Sequence, residues 1–254
     1  ALRRGVKAPV HLKVDTGMGR LGVPAHDVPA FAGVLAGAAS IRVTGAFSHL
    51  AVADDPADPF TRRQSDLFRE AIAALRGHGL QPDEIHLANS AAIMDHPPAW
   101  LTLVRPGLVL YGYPPSPKVT PLPVRPVLSL KTRIIFIKDV PAGTSLGYGR
   151  TFVAPRATRV ASLALGYDDG LPLLASNRGY VLVRGRRAPI VGRISMDLTT
   201  VDVTGVPAAA LGDEVTLIGA SGGEAIGADL VASWAETISW EVLCGIGSRV
   251  PRLF

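Results

Sequence analysis

The chain has 254 residues, of which 48% are hydrophobic and 19% charged, the composition of a soluble folded protein and not of a disordered one. Its net charge of +5 comes from scattered basic residues without interleaved aromatics, which favours a solvated basic surface over a nucleic-acid partner. No apolar run is long enough to span a membrane. With one cysteine, Cys244, and six histidines without ligand-like spacing, the sequence predicts no disulfide framework and no metal site, so we expect a cytoplasmic protein.

Short strands and helices alternate through the first half of the chain. The pattern predicts helices at 26–38 and 60–78, and strands at 10–14, 41–47, 85–88 and 101–104. Such alternation predicts parallel strands joined by helical crossovers, and four of these units are half of an eight-stranded barrel. Polar residues follow the predicted strand ends, which form the active-site face of a (β/α) barrel: Arg20, His49, Asn89, Ser90 and Arg105.

The second half of the chain has a different sequence pattern. The segment PPSPKVTPLPVRP, residues 114–126, predicts a stiff linker. Short alternating segments follow it, and the turn residues between them are typical of an antiparallel β domain: 129–137, 159–165, 179–183, 188–191, 199–203 and 214–218. A helix is predicted at 226–237. We therefore predict an α/β domain at 1–122 and a mainly antiparallel β domain at 123–254.

The segment HLKVDTGMGRLG, residues 11–22, ends a predicted strand in a glycine turn and places Arg20 just beyond that turn. A Gly-x-Gly turn lets a ligand approach the backbone closely. The planar guanidinium of an arginine binds carboxylate or phosphate groups bidentately. Arg20 is therefore a candidate anion ligand, although an arginine after a glycine turn is also a common surface residue.

Nine stretches along the chain resemble one enzyme family, in the order in which that family carries them: HLKVDTGMGRLG, FSHLAVAD, HLANSAA, VRPGLVLYG, SLGYGRTF, ALGYDDG, VGRISMD, GDEVTLIG and SRVPR. On these stretches the chain resembles the alanine racemases, fold-type III enzymes that use pyridoxal 5′-phosphate (PLP). The resemblance implies a (β/α)8 barrel, of which the first half of this chain would be the C-terminal half, followed by a β domain. The implied activity is interconversion of L-alanine and D-alanine for cell-wall precursors.

The implied reaction needs two bases. A weakly acidic Cα proton is removed and another is returned to the opposite face, with PLP as the electron sink. The resemblance makes Tyr148, in LGYGRT, the base that acts on the L-enantiomer. A free tyrosine has a pKa of about 10 and is a poor base at neutral pH. The matched His49 and Arg105 would supply the cationic and hydrogen-bonding neighbours that favour its phenolate.

The resemblance also implies how PLP is held. Arg105 would face the pyridine nitrogen and, because a guanidinium does not readily release a proton, the ring would be a weaker electron sink. Ser248 stands where the family commonly has a tyrosine. The other implied cofactor ligands lie at the tips of predicted strands: Asn89 beside the ring, and Ser90, Gly107 and Leu108 at the phosphate.

The substrate contacts come from both halves of the chain. By resemblance Arg20 binds the substrate carboxylate, and Lys13 stands where many members carry an N-carboxylated lysine that orients this arginine. Met196 and Asp197, from GRISMD, complete the substrate end. In the family these two residues and the tyrosine matched by Tyr148 come from the second subunit, so the resemblance implies a homodimer with a shared active site.

The family's second base, a lysine that binds PLP covalently, lies in a motif resembling VKANAYGHG that this sequence does not contain. The chain has five lysines: Lys7, Lys13, Lys118, Lys131 and Lys138. Either these 254 residues are the C-terminal part of a longer racemase, or the protein lacks the lysine. We favour the first interpretation because a half-barrel would expose long apolar edges. In both cases we expect the 254 residues alone to be inactive.

Two further functions stay open on the sequence. A racemase of broader amino-acid specificity would carry the same motifs, because pocket size depends partly on the part of the family barrel that is not matched. A non-catalytic PLP-binding or regulatory protein is the other alternative. Retention of Tyr148, Arg20 and the Met196–Asp197 pair argues against it, because a carrier needs neither an opposing base nor a substrate clamp.

Overall fold

The computed structural model describes residues 5–254. They form two compact units, and the boundary along the chain lies between Arg125 and Pro126. Sequence analysis places this boundary after residue 122. No helix within residues 5–254 combines the length and the apolar character needed to cross a lipid bilayer.

The first unit is an open parallel sheet with helices between its strands. The order across the sheet is β2-β1-β3-β4, and every pairing is parallel. Residues 5–254 contain no closed barrel. The elements in chain order are β1 (Ala8–Asp15), β2 (Val23–Pro24), α1 (Val28–Ala36), β3 (Ile41–Phe47), α2 (Phe60–Gly77), β4 (Glu84–His86) and α3 (Ser90–Asp95).

The longest helix, α2, buries one face. Phe68, Ile72 and Leu75 recur at helical spacing and are buried in the core of the first unit, as expected for a helix that covers one side of a sheet. The proline-rich segment contributes to this core as well, because Val119 is buried against it. The predicted linker at 114–126 therefore also packs against the first unit at Val119, because burial of this apolar side chain stabilises the folded state.

The second unit is an antiparallel β structure, as predicted. Its main sheet has the strand order β10-β9-β12-β5-β8-β11, with β13 paired to β12, and β6 and β7 form a separate hairpin. The strands are β5 (Leu130–Val140), β6 (Ser145–Leu146), β7 (Phe152–Val153), β8 (Thr158–Leu163), β9 (Tyr180–Val183), β10 (Arg186–Pro189), β11 (Thr199–Asp202), β12 (Glu214–Ser221) and β13 (Glu224–Ile226). Two helices follow, α4 (Ala228–Trp234) and α5 (Ser239–Gly245).

Two predicted elements need correction. The strand predicted at 101–104 is reduced to a single bridge between Leu103 and His86, because Leu101 has a left-handed backbone (φ 52°) that interrupts an extended segment. The helix predicted at 226–237 begins only at Ala228. Its first residues are replaced by β13, which pairs with β12 and thereby satisfies its backbone groups.

Candidate active site

A row of aligned residues crosses the parallel sheet at the carboxyl ends of its strands. Strand register pairs Lys13 with Phe47, and Phe47 with His86. The rings of Phe47 and His86 stack with centroids 5.0 Å apart, and the Lys13 ammonium lies 5.4 Å from the Phe47 centroid. Because residues at matching register positions share a face, this row forms a floor of three side chains.

A cavity of about 210 Å³ lies over this floor. Basic side chains converge on it, and within the described residues no acidic one lines it: the lining residues are Lys13, Met18, Arg20, Leu21, Phe47, His49 and Arg105. Burial lowers the pKa of His49, with further lowering by Arg105 and Arg20. Burial also lowers the pKa of Lys13, against an opposing effect of Asp15. Clustered cations in a partly buried cavity attract an anionic ligand.

Arg105 is fixed by three acceptors on two neighbouring strand ends. Its Nη1 donates to Nδ1 of His86 at 2.6 Å, and its Nη2 donates to the carbonyls of Ser48 at 2.7 Å and Leu87 at 3.2 Å. The guanidinium also lies 5.7 Å from the Phe47 ring centroid. A half-buried arginine held at this many points is preorganised toward a ligand and is not a mobile surface residue.

The turn before Arg20 is closed by Asp15. The Asp15 carboxylate accepts hydrogen bonds from the backbone N–H groups of Gly17 at 2.9 Å and Gly19 at 3.1 Å. These bonds, that of Gly17 first, lower the pKa of the Asp15 carboxyl. Both glycines have positive φ (128° and 71°), so the Gly-x-Gly pattern predicts the turn correctly. Asp15 thus shapes the loop that carries Arg20.

We expect Asp15→Ala to lower the free energy of unfolding by about 1 kcal/mol at pH 7, a figure reduced for the exposure of the site. The folded pKa of Asp15 is depressed, so its contribution is present above the unfolded pKa and is lost as pH falls through the folded one. The difference from wild type should therefore shrink between about pH 5 and pH 3. Urea unfolding across that range measures it. A difference that does not vary with pH would contradict the role of the carboxylate.

A buried glutamine ties three segments together behind the cavity. Gln64 of α2 is fully buried; its Nε2 donates to Oγ1 of Thr16 at 3.2 Å and to the His49 carbonyl at 3.1 Å, and its Oε1 accepts from the Ala51 N–H at 2.8 Å. Oγ1 of Thr16 also lies 2.8 Å from Oγ of Ser48. This network fixes the backbone that presents His49.

The residues predicted to bind a phosphate lie together in the same unit. The backbone N–H of Gly107 donates to Oγ of Ser90 at 2.8 Å, and Leu108 begins a short 3₁₀ turn directly after it. Asn89 caps α3 by accepting from the Ala92 N–H at 3.1 Å. Backbone N–H groups and a hydroxyl at such turns are the donors that a phosphate needs.

Three predicted residues of the second unit lie on exposed loops that pack against one another. Tyr148 is 71% exposed and Met196 53% exposed. Gly147 has φ 71°, and a Cβ added there would lie 2.9 Å from the backbone nitrogen of Arg193. The Tyr148 loop therefore rests directly on the segment GRISMD that carries Met196 and Asp197.

Arg249 joins the remaining motifs of the second unit. Its guanidinium lies 2.9 Å from the Asp197 carboxylate, 2.8 Å from that of Asp168 and 3.3 Å from that of Asp169. Ser248 precedes it and is exposed. Three sequence motifs, ALGYDDG, GRISMD and SRVPR, thus meet at one arginine, which orients Asp197.

Sequence analysis missed His86, His11, Gln64 and Arg249. His11 did have a signal in the sequence, which is the alternation along β1. His11, Lys13 and Asp15 are alternate residues, and alternate residues of a strand face one side of a sheet. Gln64 and Arg249 had no comparable signal. A polar residue in a helix and an arginine in a tail resemble surface residues until their partners are placed in three dimensions.

The first unit therefore defines the class: an α/β protein with a cationic cavity, suited to a small anionic ligand, at the carboxyl ends of parallel strands, followed in the chain by an antiparallel β unit. The chain matches two family models, "Alanine racemase, N-terminal domain" over residues 1–115 and "Alanine racemase, C-terminal domain" over residues 127–254. The chain belongs to the alanine racemase family, whose members are PLP-dependent isomerases.

Curated relatives and solved structures agree with this assignment. The chain is 48% identical to the alanine racemase of Syntrophobacter fumaroxidans, over 97% of this chain and 66% of the relative, and 46% identical to that of Symbiobacterium thermophilum, over 99% and 67%. It also matches the crystal structure of alanine racemase from D-cycloserine-producing Streptomyces lavendulae with a TM-score of 0.94 at 38% identity, over 99% of this chain and 67% of that one. The chain thus shares the fold of the alanine racemases, a TIM-like barrel with a β domain, although residues 5–254 themselves contain no closed barrel, and it spans about two thirds of the length of these relatives.

Four expectations about the missing part of the family barrel are left unconfirmed. Both family domains are matched, so the expectation that the N-terminal part is lacking is not confirmed. The expectations of a missing lysine and of an inactive chain are not confirmed either, and the assignment of the four parallel strands to the C-terminal half of a barrel stays a prediction.

Proposed function

We propose that this protein interconverts L-alanine and D-alanine with PLP as cofactor. The observation that carries the proposal is the cationic cavity at the carboxyl ends of the parallel strands, where Lys13, Arg20, His49 and Arg105 converge and no carboxylate from residues 5–254 is part of the lining. This set of donors fits a cofactor with a phosphate and a substrate with a carboxylate, because both are anions.

In this proposal the first unit holds the cofactor. Arg105 would hold its ring nitrogen, Asn89 would support the ring, and Ser90, Gly107 and Leu108 would bind its phosphate. Ser248 is a further candidate at the phosphate, with a shorter reach than the tyrosine common in the family. When bound, PLP supplies the electron sink that makes a Cα proton removable. Arg105 keeps a proton on its own guanidinium throughout, because arginine does not deprotonate readily.

The substrate carboxylate binds Arg20, which Lys13 of β1 would orient in its N-carboxylated form, because an unmodified ammonium repels a guanidinium. Tyr148 takes the Cα proton of the L-enantiomer onto its phenolic oxygen, and His49 and Arg105 favour the phenolate by their charge and hydrogen bonds. Met196 and Asp197 complete the substrate end of the site. We propose that these two residues and Tyr148 come from the second subunit of a homodimer.

We further propose that the 254 residues alone are inactive, because none of their lysines is the covalent ligand of the cofactor. Lys118 pairs with Asp55 at 2.5 Å and Lys131 with Glu214 at 2.7 Å, each on an exposed surface. Lys13 lines the cavity and donates to the Val14 carbonyl at 3.1 Å, and in its N-carboxylated form it would orient Arg20. The four parallel strands would then be half of the family barrel.

The test is conversion of L-alanine to D-alanine by the product of the natural gene with PLP, and by residues 1–254 alone. We expect D-alanine from the gene product and none from residues 1–254. A gene product that binds PLP and makes no D-alanine would overturn the proposed activity. D-alanine from residues 1–254 would overturn the proposed inactivity. Borohydride reduction followed by mass analysis locates the covalent lysine.

We expect Tyr148→Phe to reduce the turnover of the gene product on L-alanine by about 10²- to 10⁴-fold, the usual contribution of a general base. The aromatic ring remains, so the fold should be unaffected. Tyr180→Phe is the matched control, because Tyr180 lies in β9 with its ring against Trp234. Equal turnover of the two variants would reject Tyr148 as the base.

A further inference from the structure

A second row of residues lies next to the row of Lys13, Phe47 and His86. Strand register pairs His11 with Gly45, and Gly45 with Glu84. The middle position has no side chain, and a Cβ added to Gly45 would lie 2.6 Å from the His11 ring and 2.7 Å from the Glu84 carbonyl. The glycine therefore leaves a gap through which the His11 ring reaches across β3.

A β-bulge in β3, at Thr44, places His11 in this row. The register between β1 and β3 shifts between Val10 and His11, so that Val10 pairs with Val43 and His11 with Gly45. Bulges in strands near functional sites commonly re-aim a side chain. Without the shift His11 would face Thr44, whose side chain would fill the gap.

Two hydrogen bonds and one ion-pair contact run from Arg105 to the surface across these rows. Arg105 Nη1 lies 2.6 Å from Nδ1 of His86. Nε2 of His86 lies 3.0 Å from Nδ1 of His11. Nε2 of His11 lies 3.1 Å from the Glu84 carboxylate, whose side chain is 57% exposed. Every ring nitrogen of both histidines is used.

The hydrogen-bonding properties of Arg105 and Glu84 determine which ring nitrogens of His86 and His11 carry protons. A guanidinium only donates, so Nδ1 of His86 must accept. Burial, aided by the charge of Arg105, lowers the pKa of His86 to about 4, so the ring is neutral at pH 7 and its proton is on Nε2. Nδ1 of His11 must then accept, and a neutral His11 carries its proton on Nε2. Nε2 is the His11 nitrogen that lies next to Glu84, which as a carboxylate only accepts.

We propose that Glu84 and His11 are positioning residues for Arg105, acting through the ring of His86. Both hydrogen bonds are donated in the direction from the guanidinium to the carboxylate, whose negative charge favours a proton on Nε2 of His11, so the three contacts strengthen one another. These contacts keep Nδ1 of His86 a hydrogen-bond acceptor, and Arg105, which donates to it, is thereby held in a fixed orientation. The consequence for catalysis rests on the proposed function, whereas the predicted proton positions do not.

The first test is NMR of the full chain with ¹⁵N-labelled histidine, since ring-nitrogen shifts separate protonated from unprotonated nitrogen. We expect the neutral rings of His86 and His11 both to carry their proton on Nε2 alone. A His86 ring protonated on Nδ1, or on both nitrogens at neutral pH, overturns the proposal. Individual signals are assigned with His11→Gln and His86→Gln.

The second test removes the carboxylate at the exposed end, where folding is least at risk. In Glu84→Ala the acceptor of His11 Nε2 is lost, and we expect the ring-nitrogen shifts of His11 to move toward the average of the two tautomers. Glu84→Gln keeps an acceptor oxygen and should retain the wild-type shifts. Glu70→Ala, on an exposed position of α2, is the matched control. Unchanged His11 shifts in Glu84→Ala overturn the proposal.

The third test is kinetic and uses the PLP-loaded gene product. We expect Glu84→Ala to lower kcat about tenfold with little change in KM, and Glu84→Gln to recover most of it, because the loss is that of one charge-assisted hydrogen bond. Equal kcat in Glu84→Ala and wild type overturns the positioning role. If no variant and no wild type racemises alanine while the NMR pattern holds, the proposed function fails and the proton assignment stands.

Discussion

Gly166→Ala is expected to lower the free energy of unfolding of the second unit by about 3 kcal/mol or more. Gly166 has an extended backbone (φ −142°) that alanine can also adopt. The substitution is therefore unfavourable because there is no room for a side chain. An added Cβ would lie 2.2 Å from the carbonyl oxygens of Ser195 and Met196. Relief of that clash must separate the segments 166–169 and 195–197.

The separation would break two backbone hydrogen bonds, from Tyr167 N–H to the Ser195 carbonyl (3.0 Å) and from Asp168 N–H to the Met196 carbonyl (3.1 Å). Since Met196 and Asp197 belong to the proposed substrate end, we also expect racemase activity of the gene product to be lost. Gly205→Ala is the control, because nothing lies within 4 Å of its added Cβ. Urea unfolding of both variants is the measurement, and equal stability would show that the loops are not packed as described.

Gln64→Leu is expected to lower the free energy of unfolding of the first unit by about 3 kcal/mol. Leucine has nearly the same volume but leaves the Ala51 N–H and the His49 carbonyl without the partners that the Gln64 amide provides. An unpaired buried polar group costs about 1–3 kcal/mol, and two are created here. The loop that carries His49 should therefore also become mobile.

The control is Gln81→Leu, since Gln81 is exposed and precedes β4. Its free energy of unfolding should change by less than about 0.5 kcal/mol. Histidine NMR of Gln64→Leu measures the second effect through the His49 signals. A variant as stable as wild type, with unchanged His49 signals, would mean that Gln64 does not hold the site backbone.

Sequence patterns located most elements because those elements are periodic. The strand β3 was predicted with its observed bounds, and α2 within one residue, since both combine a regular apolar face with clear end signals. The segment 101–104 was predicted as a strand from its apolar residues alone. Its backbone conformation depends on a turn at Leu101 that composition does not reveal.

The candidate site was predicted in part. Arg20, His49 and Arg105 were expected at strand ends, and they line one cavity together with Lys13. The stack of Phe47 on His86, and the bond of His86 to Arg105, depend on strand register. Register results from pairing between segments far apart in sequence, and a bulge at Thr44 of β3 shifts it by one residue.

The sequence by itself determined the two-part organisation, the family and the identity of the candidate ligands, because these follow from composition, periodicity and local motifs. Tertiary structure alone decided that His11 reaches Glu84 over Gly45, that Gln64 holds the backbone of His49, and that Arg249 gathers three carboxylates. Each of these contacts joins residues distant in the chain. Their geometry is set by strand pairing and by the packing of loops, neither of which has a local signature in the sequence.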